Sequence, residues 1–451
     1  MKGEVLMKWR REVSLMMAAV IMGGLLAGCG GSGDAGGSSQ SDGENGKEPV
    51  KLTFKTLAWI KAEQEAQKAV IDEWNAAHPD IQVELQSADW ATATNELLTA
   101  FETGDVPDIF HYAQPIIADW KDLGYLDDMS VMLTEEDKAD VNEDIWSGLT
   151  ASDGSIVGIP IQYEVDVTFY NKEIFEKYNI TPPTMEDPWT FDEMVEVARM
   201  IQEKEGIQGM SFPGPDHFGR VFTEVWAPKI GDPLVYAKED GSYEVKLNDE
   251  SREFFKKIKA LFDEGLISQS MLSTDANTIA LNEFMGGKSG MLVGYGCWYR
   301  SQFINETEGM DAIDWGVAAP IAVNSTSVYG YIQTLSVPKD SKHKEEAYEF
   351  LKWYWNKENT LKIAKAAYIM PGRNSAIQDE SLNTSEYAWD LCQQAVQKNV
   401  LPEYVKLPGW GQFTEGVALT LCSEYFTGTI DFDEFVSRFE SEGTRILNEN
   451  R

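Results

Sequence analysis

From Val50 onward, hydrophobic and polar residues alternate along the chain with two different periods. "VKLTFKTL" alternates residue by residue, which is the period of a β-strand. The following "EQEAQKAVIDEWNAA" places Ala66, Val70 and Trp74 at helical spacing, and Pro79 ends that pattern before "IQVEL" alternates again. The opening of this region therefore predicts a strand, a helix and a second strand, which is the repeating unit of an α/β sheet.

The same two periods recur over the rest of the chain. Short β-rich runs are "SIVGIPIQ", "VTFYN", "SGMLVGY" and "GYIQTLSVP". Long amphipathic patterns separate them, namely "FDEMVEVARMIQEK", "SREFFKKIKALFDEG", "KEEAYEFLKWYWNKENTLKIAKAA" and "DFDEFVSRFESEGTRIL". This alternation predicts an α/β fold. Because single cores stop growing at about 250–300 residues, the length of 451 residues predicts two lobes.

The amino end has the pattern of an export signal. Three basic residues within positions 8–11 precede an apolar run over residues 13–28, and glycine and serine follow the run instead of the flanks of a membrane-spanning helix. We therefore predict that residues 1–28 are a signal peptide. Residues 30–49 contain no large apolar side chain, and their glycine and serine content predicts a flexible tether.

The tetrapeptide "LAGC", Leu26 to Cys29, joins the signal to the tether. It resembles the lipobox of bacterial lipoproteins, in which the cysteine is lipidated on sulfur and becomes the new amino terminus. The resemblance implies that residues 29–49 are a lipid-anchored tether and that the protein lies on the extracellular face of the cell membrane. Several acyl chains on one cysteine hold firmly, because each buried CH₂ contributes about 0.8 kcal/mol.

The net charge of the chain limits which classes of molecule it can bind. The chain has 38 Lys+Arg against 74 Asp+Glu, and this net formal charge of −36 repels nucleic-acid phosphates and anionic lipids. We therefore expect no nucleic-acid partner. A solvated acidic surface accounts for the charge, because the acids are spread along the whole sequence, and a cationic solute is the alternative explanation.

Motifs for metal, cofactor and catalysis are missing from the sequence. Its four cysteines and four histidines form no CxxC motif and no metal-ligand spacing. No nucleophile elbow, HExxH or P-loop motif is present either. We therefore expect no metal, no cofactor and no enzymatic activity, and keep a secreted glycoside-active enzyme and a surface adhesin as rival hypotheses. Whether Cys392 and Cys422 pair stays open.

Four stretches carry a family resemblance, and they occur in the family's order along the chain. They are "TGDVPDIF" from Thr103, "GIPIQYEVDVTFYNKEIFEK" from Gly158, "ALNEFMGGKSGMLVGYGCWYRSQF" from Ala280, and the segment from Gly330 to Ala376 that begins "GYIQTLSVPKDSK". Together they resemble the bacterial extracellular solute-binding protein family 1, which includes the maltose- and oligosaccharide-binding proteins of ABC importers. The stretch from Gly158 departs from the family pattern at Gln162 and Thr168.

The resemblance implies a two-lobed periplasmic-binding-protein-like fold of type II, with discontinuous lobes joined by hinge crossings. One lobe would comprise residues 50–162 plus about 320–372, and the other about 163–319 plus 373–451. Such a protein binds solute in the cleft between the lobes, which close over it. The implied function is a monomeric receptor that delivers a carbohydrate, specifically an oligosaccharide, to the permease of an ABC importer. A binding protein for a cationic or peptide-like solute is the alternative.

A carbohydrate site needs flat aromatic platforms for the C–H faces of the sugar and polar groups for its hydroxyls. Residues that follow strands are favoured, because open α/β sheets bind ligands at the carboxyl ends of their strands. By correspondence with the family's loops, the resemblance implies ligand contacts from Trp298, Tyr112, Gln114 and Glu164. Loop position and side-chain chemistry add Trp59, Trp226, Asp216 and Trp410. Arg373 either holds a crossing segment to a lobe or contacts the solute.

Overall fold

The computed structural model describes residues 48–451 except residues 115, 116, 118, 119, 122, 152, 306, 308 and 329. The predicted signal peptide, the predicted lipidation site Cys29 and all but the last two residues of the predicted tether lie outside the described residues. Within the described part of the chain, no helix is both long enough and apolar enough to cross a lipid bilayer.

Strands and helices alternate along the described chain, so the predicted α/β class is confirmed. The strands are β1 (Val50–Thr56), β2 (Ile81–Ser87), β3 (Ile109–Ala113), β4 (Ile159–Asn171), β5 (Val235–Ala237), β6 (Tyr243–Val245), β7 (Met291–Gly296), β8 (Trp315–Ala318), β9 (Gly330–Ser336) and β10 (Met370–Pro371). The α-helices are α1 (Lys61–Ala77), α2 (Trp90–Thr103), α3 (Glu135–Ala139), α4 (Glu143–Leu149), α5 (Lys172–Lys177), α6 (Phe191–Glu205), α7 (Phe218–Arg220), α8 (Ala227–Ile230), α9 (Asp249–Asp263), α10 (Ala276–Thr278), α11 (Tyr299–Asn305), α12 (Lys344–Tyr354), α13 (Lys357–Ala367), α14 (Asn374–Ile377), α15 (Trp389–Gln397), α16 (Leu419–Phe426) and α17 (Phe432–Glu449). Wider π-helical turns cover Val221–Trp226, Ile279–Phe284 and Gln412–Ala418. Short 3-10 turns cover Met129–Met132, Pro215–His217, Gln269–Leu272, Glu380–Leu382, Glu386–Ala388 and Glu403–Lys406.

One sheet organises these elements. Its strand order is β10-β4-β9-β3-β1-β2, and β7 and β8 both pair with β4. β1 is parallel to β2 and β3, whereas β9 is antiparallel to β3 and β4. The parallel β1–β2 pair follows from the strand-helix-strand pattern of the sequence, because parallel neighbours need a crossover connection such as α1. A separate hairpin pairs β5 with β6.

β4 joins two sets of strands. Its residues 159–165 pair with β9, and its residues 166–171 pair with β7 and β8. Every residue of β4 is buried or half-buried, although apolar and polar residues alternate along it from Ile161 to Phe169. Residues 164–166 therefore lie where the backbone pairing passes from one set of partners to the other. The predicted change of lobe between residues 162 and 163 falls close to this point, and those lobe boundaries stay a prediction.

The buried face of α1 is partly polar. Trp74 packs into the core from this face, and Glu63 and Gln67 are fully buried on it. Glu63 Oε1 accepts a hydrogen bond from Gln162 Nε2 of β4 at 2.9 Å. Burial raises the pKa of Glu63 to about 8; the bond from Gln162 opposes this rise, and the negative charge of Glu164 adds to it. This hydrogen bond links α1 to β4, and the Glu63 carboxyl is mainly protonated at neutral pH.

Arg373 anchors the segment that follows β10. Its guanidinium donates to Asp137 Oδ1 of α3 at 2.9 Å and to Oδ2 of Asp140, which directly follows α3, at 2.7 Å. It also lies 4.3 Å over the ring of Trp355. These contacts correspond to the first of its two predicted roles, the holding of a crossing segment.

The described cysteines, Cys297, Cys392 and Cys422, are buried free thiols. Cys392 and Cys422 therefore do not pair, which answers the question that the sequence left open. Cys422 packs as a small hydrophobic side chain, whereas Cys297 and Cys392 hydrogen-bond to each other.

The burial of Glu63 predicts a pH-dependent stability. Because the folded state holds the proton more tightly than the unfolded state, the contribution of Glu63 is fully present below pH 4.5 and is lost as the pH rises through about 8. Glu63→Gln cannot ionise and should not show this loss. The difference in free energy of unfolding, variant minus wild type, should therefore rise by on the order of 4 kcal/mol as the pH increases from 5 to 8. Urea unfolding at several pH values measures the difference.

Glu65→Gln is the matched control, because Glu65 is exposed on the same helix and its removal changes the net charge equally. Its stability difference from wild type should stay nearly constant with pH. An identical pH dependence of unfolding in wild type and Glu63→Gln would contradict the prediction.

Candidate functional site

A cavity of about 550 Å³ lies beside the middle of β4. Its lining comes from the turn after β1, the start of α2, the end of β3, the strands β4 and β9, the end of β7 with the residues after it, α10, and the segments within 213–225 and 414–419. Its volume falls in the usual range for small-molecule sites, about 300–1,000 Å³. The cavity can therefore enclose a small solute next to the point where β4 changes partners.

Four rings, those of Trp59, Trp90, Trp298 and Tyr299, form one side of the cavity, here called the aromatic wall. Trp59 and Trp298 meet edge to face, with ring centroids 5.5 Å apart and planes at 84°. Trp90 packs 6.1 Å from Trp59, and Tyr299 stacks on Trp298 at 3.9 Å. Each ring is oriented by its neighbours, so the aromatic wall is preorganised for a ligand with a flat apolar face.

The local sequence explains where these rings lie. Trp59 follows β1, Trp90 starts α2 directly after β2, and Trp298 follows β7. Gly294 in β7 has a φ of +74°, a conformation that glycine adopts without steric cost. A Cβ atom on Gly296 would lie 2.6 Å from Trp298 Nε1, so the indole can fold back over this position only because it is glycine.

A buried arginine supports the turn that carries Trp298. Arg300 Nε donates to the carbonyl oxygen of Cys297 at 2.8 Å. Its Nη atoms donate to the carbonyl oxygens of Tyr387 at 2.8 Å and Tyr368 at 2.6 Å. A guanidinium buried this deeply needs partners for its donors, and here these partners tie the turn after β7 to the carboxyl-terminal part of the chain.

Glu164 of β4 supplies a carboxyl group to the cavity. Gln333 Nε2 of β9 donates to Glu164 Oε1 at 2.5 Å. Burial raises the pKa of Glu164 to about 7; the hydrogen bonds from Gln333 and Trp298 and the positive charge of Arg220 oppose the rise, and Cys297 adds to it. Glu164 therefore changes its charge close to neutral pH.

Other polar groups complete the lining. The guanidinium of Arg220 lies 4.3 Å over the ring of Tyr331. Asp216 accepts a hydrogen bond from the backbone nitrogen of Ala276 at 3.2 Å. Glu415 is exposed and also lines the cavity. Its carboxylate favours the positive charge of Arg220. The cavity thus offers several acceptors and one fixed cation.

Tyr112, at the end of β3, is held by contacts on both sides. Its ring packs 5.2 Å from Trp90 and 4.9 Å from Trp120. Its hydroxyl makes a hydrogen bond with the hydroxyl of Thr94. Burial raises the pKa of Tyr112, so it stays a neutral phenol at physiological pH.

The structure brings together five of the residues predicted to bind ligand, since Trp298, Trp59, Tyr112, Glu164 and Asp216 all line this cavity. They come from five separate segments of the chain. Their contact with a solute stays a prediction, which the experiments below address.

Trp226, Trp410 and Gln114, also predicted, do not belong to this lining. Trp226 is buried against three phenylalanine rings at 5.2–5.9 Å. Trp410 is fully buried and donates from Nε1 to Glu224 Oε1 at 2.8 Å. Gln114 is buried against Gly148. Burial of a large apolar side chain stabilises the fold, and this explains why both indoles lie in the core and not in the cavity.

Several lining residues were not predicted from the sequence, namely Trp90, Arg220, Tyr299, Tyr331, Gln333 and Glu415. Trp90 directly follows a strand, which is the same signal that identified Trp59. Tyr299 adjoins the predicted Trp298. Tyr331 and Gln333 lie inside β9, and Arg220 and Glu415 lie in helical segments. At these four positions the sequence pattern predicts only the type of secondary structure. Whether the side chain lines the cavity depends on how that strand or helix packs in the fold.

The cavity contains side chains of the kinds that contact small solutes. Among the residues that the structure describes, no group of three or more histidine, cysteine or acidic side chains is arranged to hold a metal ion. What the cavity offers is aromatic faces, hydrogen-bond acceptors and a guanidinium. This combination suits a solute that has both apolar faces and hydroxyl or amino donors.

Comparison with known proteins identifies relatives over most of the chain. A lipoprotein of Streptomyces antibioticus, named for its position in the 5′ region of oleD and uncharacterised, is 27% identical over 424 residues, which cover 93% of this chain and 89% of that protein. Maltose-bound MalE3 of T. maritima is 19% identical with a TM-score of 0.74, over 88% of this chain and 100% of that one. A substrate-binding protein of Listeria monocytogenes, Lmo0181 in complex with cycloalternan, is 21% identical with a TM-score of 0.72, over 89% and 98%.

The two solved structures show that this chain has the two-lobed, type II periplasmic-binding-protein fold. The sequence profile described as "Bacterial extracellular solute-binding protein" matches residues 59–360, which is more than half of the chain. The fold, the cavity at the crossing strand and this match agree with the resemblance found in the four sequence stretches. The chain belongs to the bacterial extracellular solute-binding protein family.

Proposed function

We propose that this solute-binding protein takes up a carbohydrate, specifically an oligosaccharide, in the cavity beside β4 and delivers it to the permease of an ABC importer. The observation that carries the proposal is the placement of the aromatic wall and the polar groups of Glu164, Gln333 and Arg220 in one cavity of about 550 Å³. Lobes that close on the solute would shield it from water.

The physical basis is the two-sided chemistry of a sugar ring. Its C–H faces stack on indole and phenol rings, and its hydroxyls donate to carboxylates and amide oxygens. An acceptor buried without a partner costs about 1–3 kcal/mol, so the site rejects solutes that lack a matching hydroxyl. The similar structures add support, because the ligands bound in two of them, maltose and cycloalternan, are carbohydrates.

A cationic solute is the second candidate, and one observation favours it. Glu164, Asp216 and Glu415 all line the cavity, against the single guanidinium of Arg220. An ammonium group would satisfy carboxylates as well as hydroxyls do. We propose a non-catalytic role in either case, since the family comprises binding proteins.

We also propose that the protein is attached to the extracellular face of the membrane through lipid on Cys29 and acts as a monomer. The "LAGC" tetrapeptide at residues 26–29 supports the attachment. A relative named as a lipoprotein supports it further. An anchor of this kind would keep the receptor close to its permease, which raises the effective concentration of the two partners.

Calorimetric titration of the purified protein tests the proposed solute class. Maltose, maltotriose, mannobiose and cycloalternan form one arm, and spermidine and a dipeptide form the other. We expect binding in the sugar arm without release of shorter sugars over hours. Binding only in the cationic arm would favour the second candidate, catalytic release of sugar would favour an enzyme, and the absence of binding to any sugar would overturn the proposal.

Trp298→Ala should weaken binding of the sugar found in this panel by about thirtyfold or more in Kd. Large aromatic side chains at the centre of a site contribute about 2 kcal/mol or more to binding. Trp353→Ala, the control, removes a partly buried indole that lies outside the lining, and it should change Kd less than threefold. Titration calorimetry measures both; equal effects of the two substitutions would count against a solute contact at Trp298.

The affinity for a neutral sugar should also depend on pH. The pKa of Glu164 is about 7, and a sugar hydroxyl donates to the ionised carboxylate, so affinity should be highest above pH 7 and fall by up to tenfold per pH unit below it. Glu164→Gln should bind more weakly at pH 8 and show little pH dependence. Glu65→Gln, which removes an exposed carboxylate outside the cavity, serves as control and should retain the wild-type profile. A flat profile in wild type would contradict this role of Glu164.

A further inference from the structure

A chain of buried hydrogen bonds runs behind Glu164. The backbone nitrogen of Leu57 donates to His111 Nδ1 at 3.3 Å. His111 Nε2 lies 2.9 Å from Gln333 Oε1, and Gln333 Nε2 donates to Glu164 Oε1 at 2.5 Å. His111 is 1% exposed and Gln333 is 3% exposed. The chain joins four segments that are far apart in sequence: the turn after β1, and the strands β3, β9 and β4.

The direction of every bond in this chain is fixed by its first member. A backbone N–H can only donate, so His111 Nδ1 must accept and the proton of the neutral ring must lie on Nε2. Nε2–H then donates to the carbonyl oxygen of the Gln333 side chain, which turns the NH₂ group of Gln333 toward Glu164. Burial lowers the pKa of His111 to about 4, so the ring keeps this neutral form at physiological pH.

The same histidine lies next to the aromatic wall. Leu57 accepts a hydrogen bond from Trp90 Nε1 on its carbonyl oxygen at 2.8 Å, while its nitrogen donates to His111. The ring of Trp90 packs 6.0 Å from the imidazole of His111 at 82°. His111 itself does not line the cavity. It therefore contacts both halves of the site, the aromatic wall and the Gln333–Glu164 pair, from behind.

We infer that His111 is a positioning residue for solute recognition, which holds the Gln333 amide so that its N–H faces Glu164 and thereby keeps Glu164 as an acceptor for the solute. If the Gln333 amide were turned over, its carbonyl oxygen would face the carboxylate and disfavour its ionised form. This inference rests on the proposed function, because it takes Glu164 as a solute-binding group. The experiment is chosen so that the two can fail separately.

The surroundings of Glu164 define what a pH measurement on it reports. Its ionisation is opposed by negative charge on Glu63 of α1 and on Cys297 after β7, and it is favoured by the Arg220 guanidinium of α7 and the hydrogen bond from Trp298. The phenol of Tyr299, on α11, is also close enough to interact with it. None of these groups contacts Gln333 in the way that His111 does, so a change at His111 alters one donor and leaves the other charges in place.

Two substitutions at His111 separate the two ends of its ring. The side-chain oxygen of asparagine can replace Nδ1 and accept from Leu57, but asparagine is too short to donate to Gln333. The side-chain nitrogen of glutamine can replace Nε2 and donate to Gln333, but it leaves the Leu57 nitrogen without its acceptor. Each variant leaves one buried polar group unpaired, so a merely structural role predicts similar effects from both.

The first readout needs no solute. Carbon-13 NMR of the glutamate side-chain carboxyls in the full protein, assigned with Glu164→Gln, follows the titration of Glu164. His111→Asn should raise the titration midpoint of Glu164 by about one pH unit, the size of a charge-assisted hydrogen bond. His111→Gln should leave the midpoint within a few tenths of a unit. Equal midpoints in the two variants would overturn the inference.

The second readout is Kd for maltotriose at pH 7 and pH 9. His111→Asn should weaken binding about fivefold at pH 7, where the raised midpoint lowers the ionised fraction of Glu164, and much less at pH 9, where Glu164 is ionised in both proteins. His111→Gln should stay within about threefold of wild type at both values. A fivefold loss in His111→Asn that persists unchanged at pH 9 would overturn the inference, because it would reflect damage to the site independent of Glu164.

Gln333→Met keeps the experiment decisive if His111→Asn does not fold. It removes the same donor directly and should raise the Glu164 midpoint as His111→Asn does, while His111→Gln still leaves it unchanged. A raised midpoint in His111→Gln, or none in Gln333→Met, would overturn the inference. If the midpoints follow the expectation but no sugar, including maltotriose, binds to wild type, the positioning role of His111 stands and the proposed sugar function falls.

Discussion

The structure depends on one strand that has to satisfy two sets of partners. β4 pairs with β9 over residues 159–165 and with β7 and β8 over residues 166–171. At the change-over the backbone is buried, and its neighbours must supply whatever hydrogen bonds the side chains need. Lys229 meets this need for Asp166, with both side chains buried and Nζ 2.8 Å from Oδ2. The cavity forms beside this junction.

Burial at the junction has a second effect, which is electrostatic. The carboxyls of Glu63 and Glu164 both come from segments that meet at β4, and burial raises the pKa of each toward or above neutrality. A carboxyl that is poorly solvated gains more from each hydrogen bond than one in water does. The burial that makes Glu164 costly to ionise therefore also increases the free energy gained from a well-placed hydrogen-bond donor. A selective receptor needs such a difference between matching and non-matching groups.

The hydrophobic periods of the sequence were sufficient for the α/β class, because they are a local property, whereas the two-lobed type II architecture was an implication of the family resemblance. The alternation around Val50 and the helical spacing through Trp74 correspond to β1 and α1. Position after a strand identified Trp59, and the family's loop pattern identified Trp298. Both side chains line the cavity. For such residues, the end of a strand already indicates the edge of the sheet.

The rest of the site could not be read from local pattern. Trp226 and Trp410 have the same chemistry as Trp298, but their indoles are buried in the core. Gln333 and His111 sit inside strands, 222 positions apart, and only the antiparallel pairing of β3 with β9 brings them together. A buried hydrogen-bond chain leaves no periodic signal, since each of its members is a single residue in an otherwise ordinary strand.

The edge-to-face contact of Trp59 and Trp298 has one more consequence. The two indoles come from turns after different strands of the sheet, yet their centroids are only 5.5 Å apart. At that distance the excited states of the rings interact, and the emission of each responds to the polarity and packing around the other. If a solute binds against either ring, as proposed, the intrinsic fluorescence of this pair should change when it arrives.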